Sequence, residues 1–438
     1  MRHGVELRNA LAAAMIMAAS CGLRGADVAG PTLTSDAPAA PDLALEQAVD
    51  EALRANAQLR AMRSKWEAMQ ERPAQTRALP NPVLKYSGMD MADGGTWPDT
   101  NEKRLMVEQE FPWLGKRGLR EGIAAKEAEA MLRELQSMTR EVVMMVKETY
   151  YQLYALHQAI RTTRKDEEVL QRMANIAETM YSTGERTQQD VLKAKAESTM
   201  LKQRLLELDA QETTLKAKLN TFLNRRADTP IGGTVTPPEP GEPDDAEKLF
   251  ALAATNRPEV RAAQAQIERY DLEKKLMAKE GLPDYSLGVE YRSIGNGDDM
   301  VMFTAGIDLP VRRAKYRAGV REAEKMKASS ESAREAAVQQ SSLDVQDASF
   351  RLRTARRTLE LYRHELIPQA EARFKASEAD YQTGKVDFMD LLESQRFLLS
   401  ARVMAAMAEG DVGMQFARLE RAVGTDLPFN VNAGERGK

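Results

Sequence analysis

The chain has 438 residues, enough for two or three ordinary domains, but aromatic residues make up 5% of it and charged residues 29%, a balance that favours long helices joined through narrow seams over a thick core. The net charge of -4 creates no field that would gather nucleic acid, so none is expected as a partner. One cysteine and three histidines exclude a disulfide framework and a Cys/His metal cluster, and with no phosphate loop or nucleophile motif nothing points to an enzyme or a cofactor.

In chain order, the first element is an export signal over residues 1–20. Arg2 and Arg8 make it positive at the start, and the apolar stretch from Ala10 to Ala19 is too short to span a membrane as a helix. Ala18, Ala19 and Ser20 directly before Cys21 resemble the lipobox of bacterial lipoproteins, although Ala18 stands where that motif usually has a larger apolar residue. The resemblance implies a lipid on Cys21; the competing reading is ordinary cleavage between Gly22 and Gly30. Residues 21–43 then read as a tether.

Residues 44–226 form the first of two repeats, each a helix, two strands and a helical hairpin. Val83 to Met91 and Leu105 to Phe111 alternate weakly around a polar loop. A helix from Arg117 to Tyr181 would be about 100 Å long at 1.5 Å per residue. Gly184 ends it, because a left-handed turn needs a residue without a side chain. The return helix carries a seam from Val191 through Leu201 and Leu208 to Phe222, in steps of three and four.

Residues 227–245 are rich in Pro and Gly and read as a linker. The second repeat, 246–426, follows the same order: Tyr181-Ser-Thr-Gly184 with Asp190 reappears as Tyr381-Gln-Thr-Gly384 with Asp390, displaced by 200 positions. Its outer hairpin helix has Val338, Val345, Leu352, Leu359 and Leu366 at strict sevens, and its return seam, Leu391, Ser394, Leu398, Ala401, Ala405, Ala408 and Val412, is built of smaller side chains that allow closer approach. Residues 427–438 are a tail.

The strands of this half alternate clearly. Tyr285, Leu287, Val289 and Tyr291 oppose Ser286, Gly288, Glu290 and Arg292, and the run from Met300 to Leu309 behaves alike. A soluble core face would show the same pattern, but no helix face is left to cover these strands, and their length suits a tilted transmembrane strand. Four strands cannot close a barrel and lipid tolerates no open edge, so several copies must combine; three give twelve strands, a duct, where two give only a filled barrel. The fold class is therefore mainly α with a small β part. A periplasmic coiled-coil adaptor or scaffold is the alternative, and it would lack the strand pairs.

Leu79-Pro-Asn-Pro82, Phe111-Pro-Trp113 with Gly115-Lys-Arg117, and the two Tyr-x-x-Gly-x-x-x-x-x-Asp tips resemble the TolC family of outer-membrane efflux proteins, from about Leu43 to Asp426. The first two look closest to its heavy-metal branch. The resemblance implies an outer-membrane homotrimer whose twelve-stranded barrel continues into a helical tunnel. Its tips, with Thr183, Gly184, Thr383 and Gly384, would dock on a periplasmic adaptor (membrane fusion) protein and an inner-membrane pump that supplies energy and largely chooses the substrate. Asp390 and Glu393, one helical turn apart, would form acidic gate rings that favour cations, against the simpler reading of a solvated first turn. The first copy has Asp190 but Lys193 at the equivalent places. Tyr381 is expected to bond to Asp190, and the family's arginine two residues after the second glycine is Val386 here. Most of the 23 methionines, such as Met138, Met145, Met173 and Met180, have seam spacing and read as packing, whereas Met300 and Met302 share a strand face and could meet a soft metal in the lumen. His157 and His364 have no evident partner.

Overall fold

The computed structural model describes residues 41–91, 100–242, 245–295 and 297–429. The expected signal, Cys21, most of the tether and most of the tail lie outside the described residues. Helices α1 (Leu45–Ala55), α2 (Ala57–Gln70) and α3 (Arg72–Arg77) lead into strands β1 (Val83–Met91) and β2 (Thr100–Phe111), then into the first hairpin, α4 (Lys116–Ser182) and α5 (Gln188–Phe222). Helices α6 (Ala246–Asn256) and α7 (Pro258–Glu280) lead into β3 (Asp284–Ile294) and β4 (Met300–Asp308). The second hairpin is α8 (Arg313–Leu361), a π-turn (Tyr362–Leu366), α9 (Ile367–Gln382) and α10 (Phe388–Val423). At about 1.5 Å per residue, the 67 residues of α4 run about 100 Å.

The π-turn explains an irregularity in the repeat. Val146 corresponds to Val345, a displacement of 199, while Tyr181 corresponds to Tyr381, a displacement of 200, so the second copy holds one extra residue between these points. Inserted into an α-helix, it would rotate everything beyond it by about 100° and take Tyr381 off the seam. A single turn of i→i+5 bonding absorbs it instead. Val345, Leu352 and Tyr381 all remain buried.

The strands form one antiparallel sheet in the order β1-β2-β3-β4, and the β2–β3 pairing joins the two repeats. Strand β2 starts five residues before the alternation suggests. The extension is held by charge: Glu102 pairs with Arg104 at 2.6 Å and with Arg292 of β3. Register aligns Leu84, Val107, Val289 and Phe303 in one row and Tyr86, Leu105, Tyr291 and Val301 in the next. Both rows face outward and uncovered, with Phe303 84% and Leu84 65% exposed. The opposite face holds the polar set and is the better buried of the two along β3, where Gly288 and Glu290 are buried.

Around the middle of the long helices the core gathers Val142, Val146, Tyr150 and Leu153 of α4 with Leu45 and Ala48 of α1, Leu219 of α5 and Ile231. Ile231 belongs to the segment expected to be a plain linker. That segment is instead packed in: Leu43 and Thr234 form a parallel bridge, Pro240 pairs with Phe429, and Tyr150 Oη lies 2.8 Å from the Leu43 carbonyl and 2.7 Å from that of Val235. Helix α10 lies closely on α4, since a Cβ at Gly410 would come within 2.6 Å of Ala155 Cβ and one at Gly413 would fall on the Tyr151 ring. Between the same helices Lys147 Nζ lies 2.6 Å from Glu420 Oε2 in a buried ion pair. Burial still pushes the Glu420 carboxyl above its ordinary range.

Candidate functional site

Three regions carry the residues of interest: the hairpin tips, the junction of sheet and helices, and the polar sheet face. At the tips, Gly184 and Gly384 have φ of 80° and 79°, the left-handed conformation that ends a helix. Thr183 and Thr383 turn their hydroxyls onto the last carbonyls of their own helices, Met180 at 3.1 Å and Ala379 at 3.2 Å. Asp387 caps α10 by accepting from the Asp390 amide at 3.0 Å. Asp390 itself is exposed, and Glu393, also exposed, reaches Arg373 of α9 at 3.2 Å.

Asp190 differs from its counterpart in being buried, with Lys193 Nζ 3.9 Å away, so the lysine that breaks the charge symmetry is also its local partner. Tyr381 is 1% exposed and packs edge-on against Phe388 at 5.6 Å. Its hydroxyl makes no hydrogen bond, so the expected bond to Asp190 is not formed in this conformation. Burial, and then the Asp190 charge, raise the phenol's pKa.

The cross-hairpin contact comes from Arg186, which the sequence reading passed over. Its guanidinium lies 4.9 Å over the Tyr381 ring, and Nη2 donates to the carbonyls of Tyr381 at 3.3 Å and Val386 at 2.9 Å. Arg186 follows the first glycine by two residues, as Val386 follows the second. That exchange across the repeat was the available signal.

A buried polar pair lies further along the same helices. Gln395 of α10 donates to Asp166 of α4, both buried. Burial raises the Asp166 carboxyl to about 6. His157, expected to lack partners, has two: Thr234 Oγ1 lies 2.9 Å from Nδ1 and Glu212 Oε1 3.2 Å from Nε2. The Thr234 contact holds the inter-repeat segment against the first hairpin, and the Glu212 contact ties α4 to α5 within it.

At the junction, Gly115 with φ of 89° turns the chain so that Lys116 points inward. Lys116 is 1% exposed, and its ammonium lies 2.9 Å from both oxygens of Asp284 and 3.0 Å from the Leu282 carbonyl. Trp113 donates its amide to Asp284 at 2.6 Å and stacks on Tyr285 at 5.5 Å. The Phe-Pro-Trp-Leu-Gly-Lys segment is thus a clamp from the first repeat onto Leu-Pro-Asp of the second.

On the sheet's polar face, Met300 and Met302 lie where the alternation put them. Met173 is buried and Met138, Met145 and Met180 are partly buried against core clusters, so these four are packing residues. Among the described residues, no three His, Cys, Asp or Glu side chains converge to hold a metal ion, and no helix is long and apolar enough to cross a membrane.

A sequence model of the outer membrane efflux protein family matches residues 48–225 and again 249–425. The chain belongs to that family. An outer-membrane location and an efflux-channel fold follow from the membership, and the scaffold without membrane strands is set aside. The cobalt-zinc-cadmium resistance protein CzcC of Cupriavidus metallidurans is 24% identical over 401 residues, covering 88% of this chain and 91% of that one. Among solved structures, CusC superposes with a TM-score of 0.74 at 16% identity, over 87% of this chain and 92% of that one. The open state of the MtrE outer membrane channel of Neisseria gonorrhoeae gives 0.70 at 16% identity, over 87% and 89%. These likenesses establish the shared fold.

Proposed function

We propose that the chain is the outer-membrane duct of a tripartite efflux system, a homotrimer that passively conducts substrate delivered by an inner-membrane pump through a periplasmic adaptor. The observation that carries this reading is the uncovered apolar face of a four-stranded sheet with two free edges, continuous with helical hairpins whose outer arms run about 100 Å. Lipid covers such a face, and pairing of β4 with β1 of the next copy removes the edges. Three copies close a twelve-stranded barrel. Cys21 anchors the N-terminus by its lipid, and the tips around Thr183, Gly184, Thr383 and Gly384 receive the adaptor.

Asp390 and Glu393 ring the periplasmic entrance and favour cations. Buried Asp190 and Tyr381 support the tip from within. Metal cations are the proposed cargo, supported by the resistance named for CzcC.

Fractionation and chemical crosslinking test the assembly: the chain should sediment with outer membranes and run as a trimer, and a soluble monomer would overturn the reading. In planar bilayers, Asp390→Ala with Glu393→Ala should reduce cation preference. Unchanged selectivity and conductance would remove the gate assignment while leaving the duct.

A further inference from the structure

The alternation sends the large apolar side chains of the sheet to the uncovered face, yet Met106, Met300 and Met302 all lie on the polar one. Side chains facing a water-filled lumen gain nothing from lipid, so hydrophobicity does not account for three thioethers there. Their register does. Met106 of β2 is directly opposite Glu290 of β3, and Glu290 is directly opposite Met302 of β4. Opposed side chains have Cβ atoms about 4.5–5.5 Å apart, so a thioether flanks this carboxylate on each side, and Met300 is its diagonal neighbour.

Glu290 has its own peculiarity. It is 9% exposed with no helix over it, and Oε1 has no hydrogen-bond partner. The nearest cationic atom, Arg104 Nε, is 3.9 Å away and bonds Glu102 at 2.6 Å. Beside it Gly288 lets its neighbours close in: a Cβ there would come within 2.5 Å of Thr304 Oγ1 and 2.8 Å of the Met106 methyl, so the Met106 side chain reaches over this glycine next to Glu290. Met300 and Met302 are 41% and 37% exposed, so they can be reached from this face.

Thioether sulfur is a soft donor that selects Cu(I) and Ag(I), whereas Zn(II) and Co(II) look for imidazole, thiolate or several carboxylates. No such set converges among the described residues. On the basis of the channel reading above, we infer that Met106, Glu290 and Met302, with Met300 beside them, form a soft-cation site in the barrel lumen, one per protomer, for Cu(I) or Ag(I). Two neutral sulfurs and one carboxylate attract such an ion without holding it permanently, as conduction demands.

The test is block of single-channel current by Ag(I) in potassium nitrate, free of chloride. The full-length protein should show a concentration-dependent, reversible loss of conductance, and Met106→Leu with Met302→Leu should need at least about tenfold more Ag(I) for the same block. Glu290→Gln should shift it in the same direction, and Zn(II) should leave the current unchanged. Equal Ag(I) sensitivity in the double leucine variant would overturn the site. If the protein forms no channel, the duct reading fails, and calorimetric titration of Ag(I) into the detergent-solubilised chain still decides the site. Cys21 and the other methionines are common to both proteins, so loss of one binding event per chain in the variant supports the site and identical isotherms refute it.

Discussion

Arg186 shows how one side chain can redistribute a function between two copies of a motif. It gives the second hairpin turn two carbonyl bonds and covers the Tyr381 ring, a task its counterpart Val386 cannot perform. Hydrogen bonds from a charged donor contribute about 1.5–3 kcal/mol when shielded, and this one is partly exposed, so the low end applies. Arg186→Ala should loosen the second tip and raise bilayer conductance several-fold, with Arg186→Lys between it and the native chain; an unchanged conductance would show that the contact does not hold the entrance. Asp166 gives a second prediction at this scale. Its carboxyl is raised to about 6 by burial, so the folded chain binds that proton more tightly than the unfolded one. The resulting stability is complete below about pH 4, the ordinary carboxylate range, and is lost as pH rises through about 6. Thermal unfolding of the solubilised protein should therefore show Asp166→Asn gaining on the native chain at pH 7 and losing that advantage near pH 4. A constant difference between the two would contradict the assignment.

Among the elements, α10 has the most demanding fit. Its small seam residues, Ala401, Ala405 and Ala408, were expected to permit close helix approach, and all three are buried. It also lies closely on α4 of the other hairpin, where Gly413 meets the Tyr151 ring. Overpacking a close-packed interface costs about 1–3 kcal/mol, so Gly413→Ala, which would clash with the Tyr151 ring, and Gly410→Ala, which would clash with the Ala155 methyl and the backbone-fixed Tyr151 carbonyl, should each lower the unfolding midpoint measurably. In the second outer arm the π-turn is the other constraint. The strict sevens from Val338 run unbroken into it at Leu366, and only the change in repeat displacement betrays the inserted residue.

Across the whole molecule, the two repeats differ at the junction of sheet and helices. Inside one chain, Lys116 clamps Asp284 across the β2–β3 joint. The corresponding positions on the free edges, carried over from the matched Phe111-Pro112 with Leu309-Pro310 and Leu79-Pro80-Asn81 with Leu282-Pro283-Asp284, are Ala314 and Asn81. In the trimer proposed above, the joint between chains would lack this clamp. Removing one partner of a buried ion pair costs about 3–5 kcal/mol. Lys116→Ala should accordingly reduce the yield of assembled, outer-membrane-associated protein, measured by fractionation, and Lys116→Ala with Asp284→Ala should recover part of it. No recovery in the double variant would show that the clamp does more than neutralise its own charge.

Much of this architecture was legible in the chain itself. Helix seams, strand alternation and glycine turns are local periodicities, and a repeat writes each of them twice, so mainly helical hairpins with four strands followed without tertiary information. The packing of residues 227–235 onto α4 was not legible, because Pro and Gly mark a segment as irregular without saying what it touches. Nor were the partners that define the sites. Arg186 and Tyr381 are 195 positions apart, Lys116 and Asp284 are 168 apart, and Met106 meets Glu290 only through the pairing of two strands from different repeats. Those meetings depend on register and on the closeness of helix axes, which side-chain size and charge settle only once the elements are packed together.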